Sequence, residues 1–143
     1  EDISLAIASL QAQLDVQQQA YAKRPRKYTI SSASTQKRVD ALYLDTWRKR
    51  IETVGNLNYP DQARRQEVYG SLRMMVALRP NGTVQEIRIL QSSGHRVLDE
   101  AAVNIVQLAA PFEAFPPELR EQADILEIIR TWRFHQGNSF TSN

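Results

Sequence analysis

Apolar residues near the start of the chain recur at alternating steps of four and three residues. The series comprises Ile3, Ile7, Leu10, Leu14 and Tyr21, with Gln17 in the remaining position. This spacing predicts a helical extension over residues 1–22 that carries a narrow apolar stripe. The stripe suits a short coiled-coil seam or a strut along a folded domain, so we expect the extension to be dispensable for folding.

A basic and serine-rich stretch over residues 23–34 predicts a linker. Its basic part runs from Lys23 to Lys27 around Pro25, and its small polar part runs from Ser31 to Ser34. Proline ends a helix, and small polar residues favour loops. Four clustered cations could bind phosphates, but no aromatic residues are interleaved among them, so a solvated linker is the better interpretation. On this basis we expect deletion of residues 1–33 to leave a cooperatively folding protein.

A second amphipathic helix follows, capped by Ser34 or Thr35 and ended by Gly55 and Asn56. Its apolar stripe fits a period of 3.6 residues and predicts one buried face, formed by Val39, Leu42, Tyr43, Thr46, Trp47, Arg50, Ile51 and Val54. The aromatic residues in this stripe are expected to be core anchors rather than a ligand platform.

The period then changes to two, which is typical of half-buried strands. In residues 72–79 every even position is apolar, and Arg73 and Arg79 occupy odd ones. Pro80-Asn81-Gly82 then predicts a turn, and residues 84–91 return as a second strand. Val84 is out of phase with the apolar residues that follow it, which predicts a β-bulge near Gln85.

A third helix and a last strand complete the pattern. The helix is marked by Leu98, Ala101, Ala102, Ile105, Leu108 and Ala109, and the strand spans Ile125 to Phe134 before a polar tail at 138–143. The order predicts an α+β domain over residues 35–137, with a three-stranded antiparallel sheet and helices packed on one face. Its expected core contains Trp47, Leu72, Met74, Val76, Ile105 and Trp132.

The residue composition and the motifs of the chain favour a binding protein over an enzyme. The chain has 143 residues, a formal net charge of +2 and no cysteine, which excludes disulfides and thiolate chemistry. The densest candidate for an active site is Ser92-Ser93-Gly94-His95 with Asp99 and Glu100, but this segment is better interpreted as a turn and helix cap. Two histidines without ligand spacing predict no metal site, and no cofactor motif occurs.

An ordered set of residues resembles the C-terminal domain of the TonB family. The set covers about Asn56 to Phe134 and consists of Tyr59-Pro60, Ala63, Gly70, the hairpin Leu72 to Leu90, Gln91-Ser92-Ser93-Gly94, Leu98-Asp99, Ala101-Ala102, and Arg130-Thr131-Trp132-Arg133-Phe134. The resemblance implies a non-enzymatic periplasmic domain, anchored in the Gram-negative inner membrane by an upstream segment and coupled there to ExbB and ExbD. It further implies that the domain binds the Ton box peptide of an outer-membrane transporter, as in siderophore or iron transport, and passes on the energy of the proton motive force.

The expected peptide contacts come from two places in the chain. The family's Gln-Pro-x-Tyr-Pro stretch corresponds to Asn56-Leu57-Asn58-Tyr59-Pro60, where Asn and Leu replace Gln and Pro. Tyr59 can instead pack on the sheet while Pro60 fixes a turn. Because the last strand joins a hairpin from one side, we expect its other edge to be open for β-strand addition. The residues predicted to line that edge are Glu127, Ile128, Ile129, Arg130, Thr131, Trp132 and Arg133.

Three alternatives remain open on the sequence. One is an adaptor of the cell envelope similar to TolA, which binds a different periplasmic partner. Another is an enzyme built around Ser93, His95 and Asp99, and the least favoured is a nucleic-acid binder that uses the basic clusters. An exposed sheet edge also makes a homodimer by strand exchange an expected form of the isolated domain.

Overall fold

A computed structural model describes residues 2–22, 24–31 and 38–143. The predicted cap at Ser34 or Thr35 lies outside these ranges. The helices and strands in chain order are α1 (Asp2–Ala22), β1 (Lys27–Ser31), α2 (Arg38–Leu57), α3 (Asp61–Gln66), β2 (Gly70–Leu78), β3 (Val84–Gln91), α4 (Arg96–Ala109), α5 (Pro117–Gln122), β4 (Ile125–His135) and β5 (Ser139–Ser142).

The sheet has five strands and is mixed, which corrects the prediction of three antiparallel strands. Its order is β1-β4-β2-β3, with β5 also paired to β4. The antiparallel pairs β2–β3 and β2–β4 confirm the predicted hairpin and last strand. The additional strands are β1, which runs parallel to β4, and β5, which runs antiparallel to it.

Strand β1 lies inside the segment predicted to be a linker. It pairs with β4 from Lys27 opposite Ile125 to Ser31 opposite Ile129. Its side chains alternate between solvent and core: Tyr28 is half-buried and Ile30 is buried, while the residues between are exposed. The alternation covers only five residues beside a proline, and the partner strand is about a hundred residues away, so no local turn signal indicates the pairing.

Strand β5 likewise lies inside the predicted polar tail, and it explains why α2 does not end at Gly55. A Cβ atom built on Gly55 would lie 2.3 Å from the ring of Phe140, which is buried. Glycine is therefore required for close approach of β5 rather than for ending the helix, and α2 continues to Leu57.

The main core lies on one face of the sheet, as predicted. It joins the even-numbered positions of β2 to the buried faces of the helices, and all six predicted core residues are buried. The α2 stripe differs from the prediction, because Leu42, Thr46 and Arg50 are exposed while Leu44 and Asp40 are buried. Among the described residues, the opposite face carries a small cluster of Met75, Ala77 and Ile125, with Ile129 packed against it.

Trp132 is central to this core, and its truncation tests the register of β4. Its ring centroid lies 6.1 Å from that of Trp47 and 5.3 Å from that of Phe140. We expect Trp132→Ala to lower the free energy of unfolding by about 3–5 kcal/mol, measured by urea denaturation. Leu57→Ala, at a position 80% exposed, is the control and should change it by less than about 0.5 kcal/mol. Equal effects of the two substitutions would contradict this packing.

Two deletions separate the contribution of α1 from that of β1. Side chains 3–20 of α1 are all exposed, so removing residues 1–23 should leave the unfolding midpoint unchanged. Removing residues 1–33 also takes away Ile30 and Tyr28, and should lower the free energy of unfolding by about 2 kcal/mol or more. Equal stability of the two truncated chains in chemical denaturation would show that β1 adds nothing to the folded domain.

Candidate functional site

The outer edge of β4 was expected to be open, and this expectation is wrong. Strand β2 pairs with one edge over residues 126–134. The other edge is covered by β1 at residues 125–129 and by β5 at residues 132–135. Between them, Thr131 donates its N–H to the carbonyl of Asn143 at 2.8 Å and accepts the Asn143 N–H at 2.9 Å. Parts of the same chain therefore occupy the whole predicted binding edge.

The predicted site residues on β4 divide between its edge and its faces. In an antiparallel pair the N–H and C=O of one residue point to the same side, and the side alternates along the strand. Because Thr131 points toward β5, the main-chain groups of Glu127, Ile129 and Arg133 point to that side too. Ile128 and Trp132 have side chains in the core and main-chain groups directed toward β2.

Arg130 is an unusual residue in this strand, because it lies on the core face opposite Met74. Its side chain is half-buried, and its Nε is buried without a hydrogen-bond partner. Burial lowers the pKa of Arg130 from its ordinary value, and the nearby guanidinium of Arg48 lowers it further. The site therefore holds a cation whose charge is poorly compensated by its surroundings.

Strand β1 is held by contacts at its start and along its core face. The backbone N–H of Arg26 donates to Asp124 at 2.8 Å, and its Nη1 donates to the carbonyl of Glu121 at 2.6 Å. The side-chain hydrogen bond from Arg26, with its backbone bond, lowers the pKa of Asp124. Further along, the Tyr28 hydroxyl donates to the buried carboxylate of Asp40 on α2.

That bond raises the pKa of Tyr28 above its usual value, since the phenol hydroxyl donates to the carboxylate. On the opposite face, Thr29 Oγ1 donates to Glu127 at 2.9 Å, which engages one predicted site residue with β1. Strand β1 is also held by its apolar residue Ile30, whose side chain is buried and is thereby removed from water. Exposed ion pairs such as Arg26–Asp124 add little by comparison.

Asn56 is used to hold β5 rather than left free for a partner. Its Nδ2 donates to the Phe140 carbonyl at 3.1 Å, and its Oδ1 accepts the Phe140 N–H at 2.9 Å. Glu52 accepts the Ser142 N–H at 3.0 Å. Side chains from the last turns of α2 thus bond the outward N–H and C=O groups of β5, which have no neighbouring strand on that side in the described part of the chain.

The Tyr59-Pro60 turn lies against the far end of β4. Tyr59 is buried, and its ring packs edge-on against Phe134 with a centroid distance of 5.8 Å. Pro60 occupies the N-cap of α3, and Asn58 Nδ2 donates to the Val54 carbonyl at 2.8 Å. Leu57, by contrast, is 80% exposed. The structure therefore brings the two predicted groups together, and their exposed members are Asn56, Leu57, Asn58 and Arg133.

On the other side the sheet ends at β3, and the outer edge of this strand is irregular. Its pairing with β2 skips Gln85 and Leu90, which places a register shift near each end of the strand. The shift at Gln85 confirms the predicted bulge. Bulges twist an edge strand and interrupt the spacing of its outward groups, so this edge is a poor template for an added strand.

The candidate catalytic segment is arranged as a turn. Both Ser92 and Ser93 donate their hydroxyls to Asp99, whose carboxylate also accepts the Ser93 N–H at 3.0 Å. Burial raises the pKa of Asp99, but the hydrogen bonds from the two serines outweigh it and leave that pKa lowered. By accepting both hydroxyls, Asp99 stabilises the turn that leads into α4. Activation of a serine as a nucleophile would instead need an adjacent general base oriented by a third group.

Four residues that matter for this edge were missed by the sequence reasoning. Tyr28 and Ile30 could have been found from the alternation in β1, and Phe140 from a glycine inside a strong helical pattern. Asp124 offers no such signal. Within 2–22, 24–31 and 38–143, no group of His, Asp and Glu is placed to hold a metal ion, and no helix is long and apolar enough to cross a membrane.

Comparison with known proteins places this architecture in a family. Residues 55–136 match the family described as Gram-negative bacterial TonB protein C-terminal. The solution structure of the TonB C-terminal domain of Helicobacter pylori, residues 179–285, is 19% identical and aligns over 72% of this chain and 98% of its own, with a TM-score of 0.45. No curated protein sequence is significantly similar. Because the family match spans more than half of the chain, this protein belongs to the TonB C-terminal domain family.

Proposed function

We propose that this domain binds the Ton box peptide of an outer-membrane TonB-dependent transporter or receptor by strand addition to β4. In this proposal the domain works in the periplasm, and an upstream segment links it to ExbB and ExbD in the inner membrane. The proton motive force would then reach the transporter through the bound peptide. Membership of a TonB family supports the transducing role, and the geometry of the β4 edge supports the mode of binding.

The observation that carries the proposal is the pairing of β1 with β4. A five-residue extended segment, distant in sequence, adds to this edge in parallel over residues 125–129. Its Tyr28 and Ile30 side chains turn toward the core, where the Tyr28 hydroxyl meets Asp40 of α2, while Lys27 and Thr29 are exposed. This is the pattern by which an extended peptide adds to a sheet, where main-chain bonds give affinity and alternate pockets give specificity.

A peptide that adds to the same positions has to displace β1. The main-chain hydrogen bonds are exchanged one for another, so their net contribution is small. The balance is then set by side chains: the peptide must supply an apolar group in place of Ile30 and satisfy or hydrate the Asp40 carboxylate after Tyr28 leaves. We therefore expect a client peptide with an apolar residue flanked by polar ones.

The charges beside the edge favour an acidic partner. Arg130 is poorly compensated, Arg133 is exposed at the same end of β4, and Glu127 lies at the other end, where β1 pairs. The two side chains lie on opposite faces of the sheet, with Arg130 on the core face, so a carboxylate of the peptide would pair with the exposed Arg133. Leu57, exposed beside this end, offers an apolar contact for the residues that follow the paired segment.

Weakening β1 should therefore strengthen peptide binding. When only a fraction of molecules has an open edge, the observed affinity falls by that fraction. Loss of the Ile30 side chain removes about 2–5 kcal/mol of packing, so Ile30→Ala should raise the affinity for a Ton box peptide about tenfold or more. Isothermal titration calorimetry of the purified chain with a synthetic Ton box peptide measures the change.

The matched control is Val106→Ala, which removes buried methyl groups from α4 without touching β1. It should destabilise the domain but leave the peptide affinity within about twofold of the parent. An unchanged affinity in Ile30→Ala would place the peptide elsewhere, and a reduced affinity would mean that β1 forms part of the binding site. Failure of every variant to bind a Ton box peptide would favour an envelope adaptor with another partner.

A further inference from the structure

The most prominent feature that peptide binding leaves unexplained is helix α1. Its apolar side chains between residues 3 and 20 are all exposed, with 75% of Ile3, 57% of Ile7, 60% of Leu10 and 57% of Leu14 accessible. No packing against the described part of the domain accounts for a regular stripe of this kind. A helix with such a stripe requires a partner to remove it from water.

The stripe has the residue spacing of a coiled-coil seam about three heptads long. Steps of four and three residues place Ile7 and Leu14 at a positions and Ile3, Leu10 and Gln17 at d positions, with Tyr21 at the last a position. The period is kept without interruption over the length of α1. Two further apolar residues, Leu5 and Val16, lie at the f and c positions outside the seam.

The flanks of the seam indicate that a second copy of the same helix is the partner. The e and g positions are occupied by Ser4, Ala6, Gln11, Gln13, Gln18 and Ala20, none of which is charged. Two copies would therefore meet without repulsion, and no cation or anion is placed to select a charged foreign helix. The acidic residues of α1, Asp2 and Asp15, occupy c and b positions, away from the seam.

Gln17 sets the relative orientation of the two copies. In a parallel, in-register pair its carboxamide faces the same group of the other copy, and the two can hydrogen-bond. In an antiparallel pair centred on the seam it would face Ile7 and lose a partner for a desolvated amide. The polar position thus favours the parallel arrangement, in which both domains leave the helices at the same end.

The area available fits a reversible contact. Four aliphatic side chains per helix, each losing about 100 Å², bury roughly 800 Å² in the pair, which is below the roughly 1,200 Å² of stable specific interfaces and fits a weak, transient one. We propose that α1 is a dimerisation element that pairs two copies of this protein through a parallel coiled coil of the Ile3–Ile7–Leu10–Leu14–Gln17 seam. The association is weak and concentration-dependent, and it leaves the folded domains free to bind peptides separately.

Single introduced cysteines test the proposal, because the natural chain has none. Leu10→Cys puts a thiol at a d position, where parallel in-register copies hold the two sulfurs close together. Leu5→Cys puts a thiol on an exposed apolar position outside the seam, where Leu5 is 72% accessible against 60% for Leu10. Under mild copper-phenanthroline oxidation of the full chain, we expect Leu10→Cys to form disulfide-linked dimer at least tenfold faster than Leu5→Cys.

Two second-site substitutions show whether the seam itself is responsible. Added to Leu10→Cys, Leu14→Glu should reduce the cross-linking rate to that of Leu5→Cys, while Val16→Glu should leave it unchanged. Circular dichroism confirms that each chain remains folded. Equal rates for Leu10→Cys and Leu5→Cys, or cross-linking that survives Leu14→Glu, would overturn the proposal and point to antiparallel pairing or to association through the sheet.

Discussion

Strand β4 lies in the middle of the sheet, so hydrogen-bonding groups on both of its edges need partners. A buried peptide group without a partner costs about as much as a lost hydrogen bond or more. One edge is satisfied by β2, and the other is satisfied only because the chain returns to it twice, through β1 and β5. The remaining features of this side of the molecule follow from that requirement: Gly55 admits Phe140, Asn56 holds its backbone, and Asp40 accepts Tyr28.

The same requirement connects stability with function. An edge that must be occupied but is covered by a five-residue strand can exchange one occupant for another at little net cost in hydrogen bonds. Strand β1 also protects the domain from pairing with other chains when no client is present. The proposed capture of a peptide and the proposed role of β1 as a cover are thus two states of one edge, and their balance depends on Ile30 and Tyr28.

The sequence predicted the parts of the fold whose signals are local. The hairpin, its Asn81-Gly82 turn, the bulge at Gln85 and most of the buried face of α4 follow from periodicity and turn chemistry within a few residues. In α4, Leu108 is exposed and Val106 is buried instead. Strands β1 and β5 could not be assigned in this way, because each is short and its pairing depends on residues far away or on a helix packed beside it. Gly55 illustrates the difficulty: the same glycine predicts a helix end locally and a close contact globally.

The location of the candidate site was predicted, but its occupation by other strands was not, because that depends on pairing between distant residues. The position of the β4 edge and of the Tyr59-Pro60 turn could be inferred from the resemblance, and the two do lie together through Phe134. The occupation of that edge could not be inferred, since it depends on the unassigned strands. Two predicted contact residues have other partners: the Asn56 carboxamide bonds the backbone of β5, and the Tyr59 ring packs on Phe134 of β4.

The most direct test of whether a peptide displaces β1 from the β4 edge is amide hydrogen exchange, measured with and without a Ton box peptide. The account predicts that the amides of β1, over residues 27–31, exchange faster when the peptide is bound, while the outward amides of β4 at Glu127 and Ile129 remain protected by the new strand. Unchanged protection of β1 together with slower exchange along β3 would contradict it, because the peptide would then have added to the other edge of the sheet.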